Sequence, residues 1–450
     1  MVMQMNATQP FVDQFDDVQS RLPGAKLPWL EAFRKAGIEK FSTIGVPTIK
    51  TEAWKYTRLP NIDCKEFRSA NWEDGQVAVK SLPEFLSDAL NQIRLVYVNG
   101  IIRPDLSNLT NLPDGISFEP LTQALENDPE FIESQLSTEE LKYDQGFSAL
   151  NAAMMESGTV FRVAKGVQVK EPIEIVYMNG GTDAPIIRHP HNVFVLEAGS
   201  QATLVMRHAG IATGAYFNNA VTEIVVGDGA ILKHYTLQTD CMEAIHLSTV
   251  NVRVGKDATY ETFNFAIGGR LSRTETRVRL EGRGAHCNLS GAYMMRGREH
   301  CDNITIVDHL VPDTTAREVF KGVLDDEARG VFQGKLIVHK DAQRTNGHQL
   351  SRALLLSDRA EMDAKPELEI YADDVKCSHG ATTGQIDENA LFYLRSRGVP
   401  EALARNLLIQ SFIAEALEEI SDEKVREAIT GLVVDWLPAE CFLADEWVQA

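Results

Sequence analysis

The chain has 450 residues, of which 44% are hydrophobic and 24% are charged. This length exceeds that of one ordinary compact core, so two or three structural units of a soluble globular protein are expected. Lys and Arg number 44 against 64 Asp and Glu, which gives a formal net charge of −20 and disfavours general binding to nucleic acids or anionic membranes.

The first twenty residues, MVMQMNATQPFVDQFDDVQS, lack a basic segment followed by an apolar run and are acidic rather than Arg-rich. No apolar run approaches the roughly 20 residues that span a bilayer. The cysteines form no disulfide framework; they are Cys64, Cys241, Cys287, Cys301, Cys377 and Cys441. These features predict a cytoplasmic protein with reduced thiols.

Residues 1–157 predict a mixed, largely helical N-terminal domain. Apolar residues in 29–41 follow a helical spacing, and 120–135 and 147–156 also indicate helices. Residues 45–60, GVPTIKTEAWKYTRLP, indicate an irregular segment bounded by proline. RLVYVNGII (94–102) predicts two strands joined by a turn.

Residues 158–384 consist of short runs of alternating apolar and polar residues separated by Gly and Asp. Gly-x-x-Ala recurs at intervals of 28, 28 and 27 residues, beginning at Gly199, Gly227, Gly255 and Gly282. A fixed period of this size indicates stacked repeats, and the lack of long helical segments favours a parallel β-helix core. A Greek-key sandwich is the alternative, although it gives no reason for a constant period. Each Ala is expected inside a tight corner, with the Gly supplying an unusual backbone torsion.

Residues 385–450 predict a C-terminal helical domain. Asp387 is a suitable N-cap and Gly398 a suitable C′ residue for a first helix. Pro400 suits the first position of a second helix, and Ser421 or Asp422 can cap a third that ends near Gly431 or Trp436.

Motifs for nucleotide chemistry are missing from the sequence. GVFQGKL (330–336) has only three residues between its glycines and Leu336 where a P-loop carries Ser or Thr, so it is interpreted as a corner of a coil. HExxH, GxSxG and CxxC patterns do not occur. The sequence therefore shows no ATPase motif.

Cysteines and histidines in the repeats favour structural roles. Leu204, Leu232, Tyr260 and Cys287 each follow a repeat glycine by five residues, so Cys287 is predicted to stack in an apolar core column. Cys301, beside His300, is also interpreted as structural. His189 and His191 share a strand face, but no third metal ligand is in view.

The stretch YADDVKCSHGATTG (371–384) concentrates more reactive groups than any earlier segment. On a continued strand Asp373, Val375, Cys377 and His379 share one face. Lys376 and His379 are expected to raise the thiolate fraction of Cys377, and thiolate with imidazole suits iron, zinc or sulfur transfer. A polar coil end, with acids capping turns and Cys packing, is the other reading. The residues alone do not decide between a metal or sulfur-transfer site and a polar coil end.

Residues 365–398, KPELEIYADDVKCSHGATTGQIDENALFYLRSRG, resemble the C-terminal signature of the SufD group in the SufB/SufD family of iron–sulfur cluster assembly proteins. The likeness extends through 330–364 and includes TEAWKYT (51–57). The Lys-Cys-Ser-His-Gly run favours SufD over SufB. The resemblance implies a right-handed parallel β-helix flanked by helical parts, within a SufBCD complex. It also implies an assembly subunit that is not an enzyme, with no catalytic and no cofactor-binding residue.

The resemblance also implies partners and site residues. Proteins of the SufD group pair with SufB through the β-helix edges and with the ABC ATPase SufC through the C-terminal helices. A metal site of His379 and Cys377 is expected at the SufB interface, where iron or a nascent Fe–S cluster would be shared and not held stably by the isolated chain. Residues expected to face SufC are Phe392, Tyr393, Arg395, Arg397, Gly398 and Leu403.

Two other functions compete with this one. The first is a purely structural subunit, homodimeric in isolation, whose polar cluster serves only as an interface. The second is a β-helix polysaccharide lyase or hydrolase in which Asp373 and Asp374 bind calcium or act as acid and base. Most such enzymes are secreted, whereas this sequence shows no signal peptide.

Overall fold

The chain was analysed as a computed structural model, which describes residues 2–59, 67–79, 93–136, 145–212 and 214–438. Cys64 and Cys441 lie outside these ranges. The described helices are α1 (Val2–Val18), α2 (Pro28–Ile44), α3 (Leu121–Asn127), α4 (Pro129–Gln135), α5 (Gly146–Met154), α6 (Glu388–Ser396), α7 (Glu401–Leu417) and α8 (Glu423–Trp436). None of them combines the length and the apolar composition that crossing a bilayer requires.

The strands in these ranges form two long sheets. They are β1 (Arg68–Ser69), β2 (Arg94–Val98), β3 (Ile101–Ile102), β4 (Ile116–Pro120), β5 (Thr159–Val163), β6 (Ile173–Asn179), β7 (Ile186–Arg188), β8 (His191–Leu196), β9 (Gln201–Gly210), β10 (Tyr216–Val226), β11 (Ile231–Asp240), β12 (Ile245–Val254), β13 (Thr259–Gly268), β14 (Leu271–Leu280), β15 (His286–Met295), β16 (His300–His309), β17 (Thr315–Leu324), β18 (Arg329–Val338), β19 (Thr345–Leu355), β20 (Glu361–Ile370) and β21 (Val375–Gly384).

Successive strands from β8 onward alternate between the two sheets. The even-numbered strands pair in parallel in sheet A and the odd-numbered strands in sheet B. Each pair of strands therefore closes one coil of a β-solenoid, which has about eight turns and helices at both ends. The fold is mainly β, as the sequence repeat predicted.

Three apolar layers hold the solenoid. The inner layer fills the space between the sheets, with side chains such as Leu232, Val252 and Leu280. The outer face of sheet B packs against α7 and α8, and the outer face of sheet A packs against α2 and α5. Because both faces are covered, the strands are apolar on both sides over much of their length.

The length of a coil is less regular than the glycine spacing predicted. Ile245 pairs with Leu271, 26 residues later, whereas Arg329 pairs with Glu361, 32 residues later. Turns of different length connect strands of constant length, so sequence spacing does not give the register.

The corner geometry confirms the predicted role of Gly199, which has φ +68°, and corrects that of the other three repeat glycines. Left-handed backbone occurs at Gly229, Asp257 and Gly284, each two residues after a repeat glycine. The alanine that follows is fully buried, as predicted. Gly282 is required for another reason, since a Cβ there would lie 2.0 Å from the Lys256 backbone nitrogen.

Local signals for helices and hairpins were mostly confirmed. The Asp387 carboxylate accepts from the Asn389 and Ala390 N–H groups at the start of α6, and Gly398 has φ +88° at its end. Pro400 is the N-cap of α7 and not its first residue. The segment GVFQGKL lies inside β18 and is not a corner, because its glycines adopt ordinary extended backbone.

The division into domains at 157/158 and 384/385 stays a prediction. β2 pairs in parallel with β6, and β4 pairs with β5, so strands from the N-terminal region extend the two sheets. The irregular segment also contacts the solenoid: Thr57 Oγ1 donates to Asp302 at 2.5 Å and the Arg273 guanidinium stacks 4.0 Å from the Trp54 ring centroid.

Candidate functional site at the open end of the solenoid

The last coil of the solenoid consists of β20 and β21. Within the described ranges, β20 pairs only with β18 and β21 only with β19. Most residues of β21 are exposed. The backbone N–H and C=O groups on the free side of each strand can therefore accept a strand from another chain.

Cys377 is the least accessible of the candidate ligands. It is half-buried and, with Val375, packs against Val338, Ala342 and Ala372. It pairs in register with Gly347 of β19. The thiol thus faces the inside of the solenoid near its open end.

The protonation of Cys377 differs from the prediction. Burial raises the pKa of its thiol above the ordinary value, and the Gly347 N–H offsets this only partly. Lys376 is exposed and lies on the opposite face of β21. The expectation that Lys376 and His379 raise the thiolate fraction is therefore wrong for this chain by itself. A ligand cation or a partner would have to displace the proton.

His379 lies two residues farther along β21 and is exposed. It pairs in register with Gln349 of β19, as Cys377 pairs with Gly347, so the two side chains share a face as predicted. The imidazole can reach a partner at the open end without any movement of the solenoid.

Asp373 and Asp374 do not share that face, because they precede β21 in the turn from β20. Both are exposed. The Asp374 N–H donates to Gln343 Oε1 at 2.9 Å and its C=O accepts from the Arg344 N–H. Both contacts are made by the main chain of Asp374, so they fix the turn without using its carboxylate.

A polar column inside the solenoid was missed by sequence reasoning. Glu318, Gln349 and His379 occupy the same register position on β17, β19 and β21. Glu318 accepts from Thr305 Oγ1 at 2.6 Å and from Gln349 Nε2 at 3.4 Å. Burial raises the pKa of Glu318 to about 7. The column appears when the coils are aligned by the register of their strands. It does not appear when they are aligned by the spacing of the repeat glycines.

Cys287 and Cys301 are both buried, which agrees with the structural roles predicted for them. Cys287 is fully buried in the inner layer, and burial raises its pKa. The column of Cys287 contains Ala202 and not the predicted Leu204. The register in which β9 pairs with β11 differs by two residues from the register that the glycine spacing gives. Cys301 is also buried, and the neighbouring His300 imidazole contacts Thr57 Oγ1 at 3.1 Å.

His189 and His191 are buried at the entry to the solenoid. His189 Nδ1 lies 3.1 Å from Asn219 Nδ2, and His191 Nδ1 lies 2.7 Å from Asn151 Oδ1. Burial lowers the pKa of His189 to about 3 and that of His191 to about 4. Among the described residues, no group of three His, Cys, Asp or Glu side chains is placed to hold a metal ion.

The helices after β21 present a second surface. Phe392 and Tyr393 on α6 are 73% and 57% exposed. The Arg397 guanidinium donates to Tyr393 Oη at 3.0 Å, and Arg395 pairs with Glu401 at 3.3 Å. Gly398 is exposed and Leu403 is half-buried. The six residues predicted to face a partner therefore lie together at the tip of α6 and the start of α7.

The fold and the site define a β-solenoid protein with helices at both ends and a thiol–imidazole strand at its open end. A family model described as "SUF system FeS cluster assembly, SufBD core domain" matches residues 177–412, and the SufBD N-terminal region model matches residues 5–175. The chain belongs to the SufBD family of iron–sulfur cluster assembly proteins.

Relatives from three bacteria match most of the chain. An iron–sulfur cluster assembly SufBD family protein of Synechocystis is 31% identical over 89% of this chain and 90% of its own. The iron–sulfur cluster assembly protein SufD of Escherichia coli is 30% identical over 89% and 92%, and SufD of Bacillus subtilis is 27% identical over 90% and 93%. The predicted resemblance to the SufD group is confirmed.

Proposed function

We propose that the chain is a cytoplasmic, non-catalytic subunit of a Suf complex, paired with a SufB-like subunit and a SufC-like ATPase. In this proposal the SufB-like partner binds the open end of the solenoid, and Cys377 and His379 take part in iron acquisition or nascent cluster assembly at that interface. The observation that carries the proposal is the joint presence, in the last coil, of two strands with one free edge each and of a thiol–imidazole pair.

The open end supports pairing with a second solenoid. A strand of a partner can add to β20 or β21 through main-chain hydrogen bonds, while pockets for alternate side chains give specificity. Ile370 and Tyr371, at the end of β20, are 41% and 63% exposed. Apolar side chains beside a free strand edge promote aggregation of a monomer, whereas at an interface they stabilise the complex.

The α6 tip supports binding of the ATPase. Phe392 and Tyr393 are aromatic, exposed and flanked by Arg395 and Arg397, a composition enriched at the energetic centres of protein interfaces. Only residues 385–387 separate α6 from β21. Movement of α6 on ATP hydrolysis would therefore reach the Cys377 strand directly.

Polar contacts hold α7 and the residues just after it against sheet B, so α7 stays in place when α6 moves. Arg317 donates to the Glu419 carboxylate at 2.6 Å, and the buried Lys321 pairs with Glu415 and donates to the Phe412 C=O at 3.0 Å. With α7 anchored, α6 and the last coil form the segment that a partner can shift.

The cargo chemistry fits iron. A cysteine sulfur and an imidazole nitrogen are ligands that iron and zinc accept, and two donors leave the remaining coordination positions to the SufB-like partner. Iron or a nascent cluster is thus treated as shared cargo that the isolated chain does not hold stably.

Cells that depend on this chain for cluster assembly test the proposal. We expect His379→Ala and Cys377→Ser to lower the activity of iron–sulfur enzymes while the complex still co-purifies, and Ser378→Ala, on the opposite face of β21, to behave as wild type. Normal enzyme activity in both His379→Ala and Cys377→Ser cells would rule out the site. The homodimeric structural subunit would then account for the open end, since a second copy can pair with the same edges.

A further inference from the structure

We infer that His309 and Cys377 form a nitrogen–sulfur half-site for a thiophilic divalent cation, in the space that Gly347 leaves inside the last coils. This inference deepens the proposed function, on which it rests for the identity of the cargo. It adds to the Cys377 and His379 pair a third donor, a histidine two coils away from Cys377.

The space is defined by an inward-facing column of small residues. Ala316, Gly347 and Cys377 occupy the same register position on β17, β19 and β21. A Cβ on Gly347 would lie 3.6 Å from Cys377 Sγ and 3.7 Å from His309 Nε2. Cys377 Sγ and His309 Nε2 therefore both lie close to the Gly347 Cβ position. Cys377 approaches it from the last coil, and His309 approaches it from the coil on the other side of Gly347.

His309 is positioned for this role by its other ring nitrogen. Its Nδ1 lies 2.7 Å from Thr314 Oγ1. The Thr314 hydroxyl donates to the Val311 C=O at 3.3 Å, and its neighbour Thr345 already donates to the Ala342 C=O at 2.8 Å. With the Thr314 proton on the Val311 C=O, the Thr314 oxygen accepts from Nδ1–H, and this tautomer leaves Nε2 with a free lone pair.

That lone pair has no partner. His309 is fully buried, and its Nε2 has no hydrogen-bond partner among the described residues. Burial also lowers the pKa of His309 to about 4, with a smaller contribution from His339, so protons do not compete for Nε2 near pH 7. A buried acceptor without a partner costs free energy and calls for an explanation.

A bound cation supplies that explanation. Neutral imidazole whose second nitrogen is held by a hydrogen bond is the usual form of a metal-ligating histidine, and cysteine sulfur selects thiophilic ions such as Zn²⁺ or Fe²⁺ over Mg²⁺ or Ca²⁺. Binding would convert the Cys377 thiol to a thiolate and release its proton to solvent. The open end gives access to water or to a partner for the remaining ligands.

Titration with Co²⁺ alone tests the inference, because cobalt thiolates absorb in the near ultraviolet. Reduced full-length protein is used under anaerobic conditions. We expect the band in the wild type, its absence in Cys377→Ser, and apparent affinities weaker by about tenfold or more in His309→Asn and Gly347→Ala. His348→Asn, an outward-facing histidine of β19, and Gly380→Ala, on the opposite face of β21, should bind as wild type.

The two informative variants are chosen to remain folded. Asn can still bond to Thr314 from a position near Nδ1 but lacks Nε2. Gly347 has ordinary extended backbone, and an added methyl would crowd only the flexible end of the Leu336 side chain, at 2.9 Å. Melting temperatures near that of the wild type confirm that a lost band reflects a lost ligand.

Three results would overturn the inference: no thiolate band in the wild type, a band that survives Cys377→Ser, or wild-type affinity in either His309→Asn or Gly347→Ala. The proposed function is judged separately, by cluster assembly in cells. If cluster assembly in cells requires Cys377 but His309→Asn binds Co²⁺ as the wild type does, the proposed function is retained and the half-site is rejected.

Discussion

Glu318 lies inside the solenoid, one coil below Gln349 and two coils below His379. It is almost completely buried, and both hydrogen bonds to its carboxyl group come from uncharged side chains, Thr305 and Gln349. Within the described part of the chain no cation offsets the loss of hydration, so burial raises the pKa of Glu318 from 4.5 to about 7.

This pKa predicts a specific pH dependence of stability. A raised pKa in the folded state contributes stability that is complete below pH 4.5 and is lost as the pH rises through about 7. Between pH 5.5 and 8 the free energy of unfolding should fall by about 2 kcal/mol through Glu318. Glu318→Gln cannot lose a proton, so its stability should fall less over that range. Urea unfolding at several pH values measures this, and identical profiles for the two proteins would refute it.

The residues of the candidate site could be proposed from sequence only in part. Cys377 and His379 were singled out because an alternating strand pattern places them on one face of β21. His309 and Gly347 of the proposed half-site were not singled out, because they are 68 and 30 residues from Cys377 and coil length varies from 26 to 32 residues. A column inside a solenoid becomes visible only once the strand register is known.

Among the elements, the coil corners impose strict steric demands. A Cβ on Gly282 would lie 2.0 Å from the Lys256 backbone nitrogen and 2.2 Å from the Gly255 carbonyl carbon. Backbone atoms of a neighbouring coil cannot move aside without breaking hydrogen bonds of the sheet. Gly282→Ala should therefore destabilise the protein by about 3 kcal/mol, detectable as a lower melting temperature.

Gly431 provides the control for that substitution. It lies within α8, and no heavy atom lies within 4 Å of its Cβ position. Gly431→Ala should leave stability unchanged or raise it by up to about 1 kcal/mol, as helix propensity predicts. Equal effects of the two substitutions would show that the corner contact is not what Gly282 provides.

The attachment of α7 to sheet B gives a second prediction for the elements. Lys321 is buried and donates to Glu415 and to the Phe412 C=O, whereas Arg352 reaches the same Glu415 from an exposed position at 3.6 Å. Lys321→Met should cost about 1–2 kcal/mol, and Arg352→Met about 0.5 kcal/mol or less. Urea unfolding measures both, and equal costs would contradict the anchoring role of Lys321.

Helices were predicted better than their contacts. The caps Asp387 and Asp422 are local signals, so α6 and α8 were located closely from sequence. Residues 51–57 were interpreted as irregular, whereas the structure has one 3-10 turn at Glu52–Trp54 within them. Their docking was not predicted. That docking depends on Asp302, which lies 245 residues from Thr57, and on Arg273.

At the scale of the whole molecule, the sequence repeat was sufficient to predict a β-solenoid between helical ends. It was not sufficient to predict that β2 and β4 extend the sheets into the N-terminal region, because those strands lie outside the repeat. The open end follows from the same architecture: the last coil has neighbours on one side only within the described part of the chain.

The surface of α6 yields a prediction about assembly. Phe392→Ala combined with Tyr393→Ala should weaken binding of the ATPase by about 2 kcal/mol, roughly 30-fold in Kd. The melting temperature should not change, because both side chains are exposed. Trp72→Ala removes an aromatic side chain that is 66% exposed elsewhere, and it should leave binding intact. Calorimetry with the purified ATPase measures the difference, and equal Kd values for all three proteins would place the ATPase elsewhere.

Co-purification from native cells is the most direct test of the central claim that this solenoid works as a subunit of a Suf complex. Full-length chain carrying an affinity tag is isolated under mild conditions, and its companions are identified by mass spectrometry. We predict a second SufBD-family subunit and an ABC ATPase in defined stoichiometry, with the second subunit lost when β21 is blocked by Ala381→Pro. Recovery of the chain alone or only as a homodimer would contradict the account.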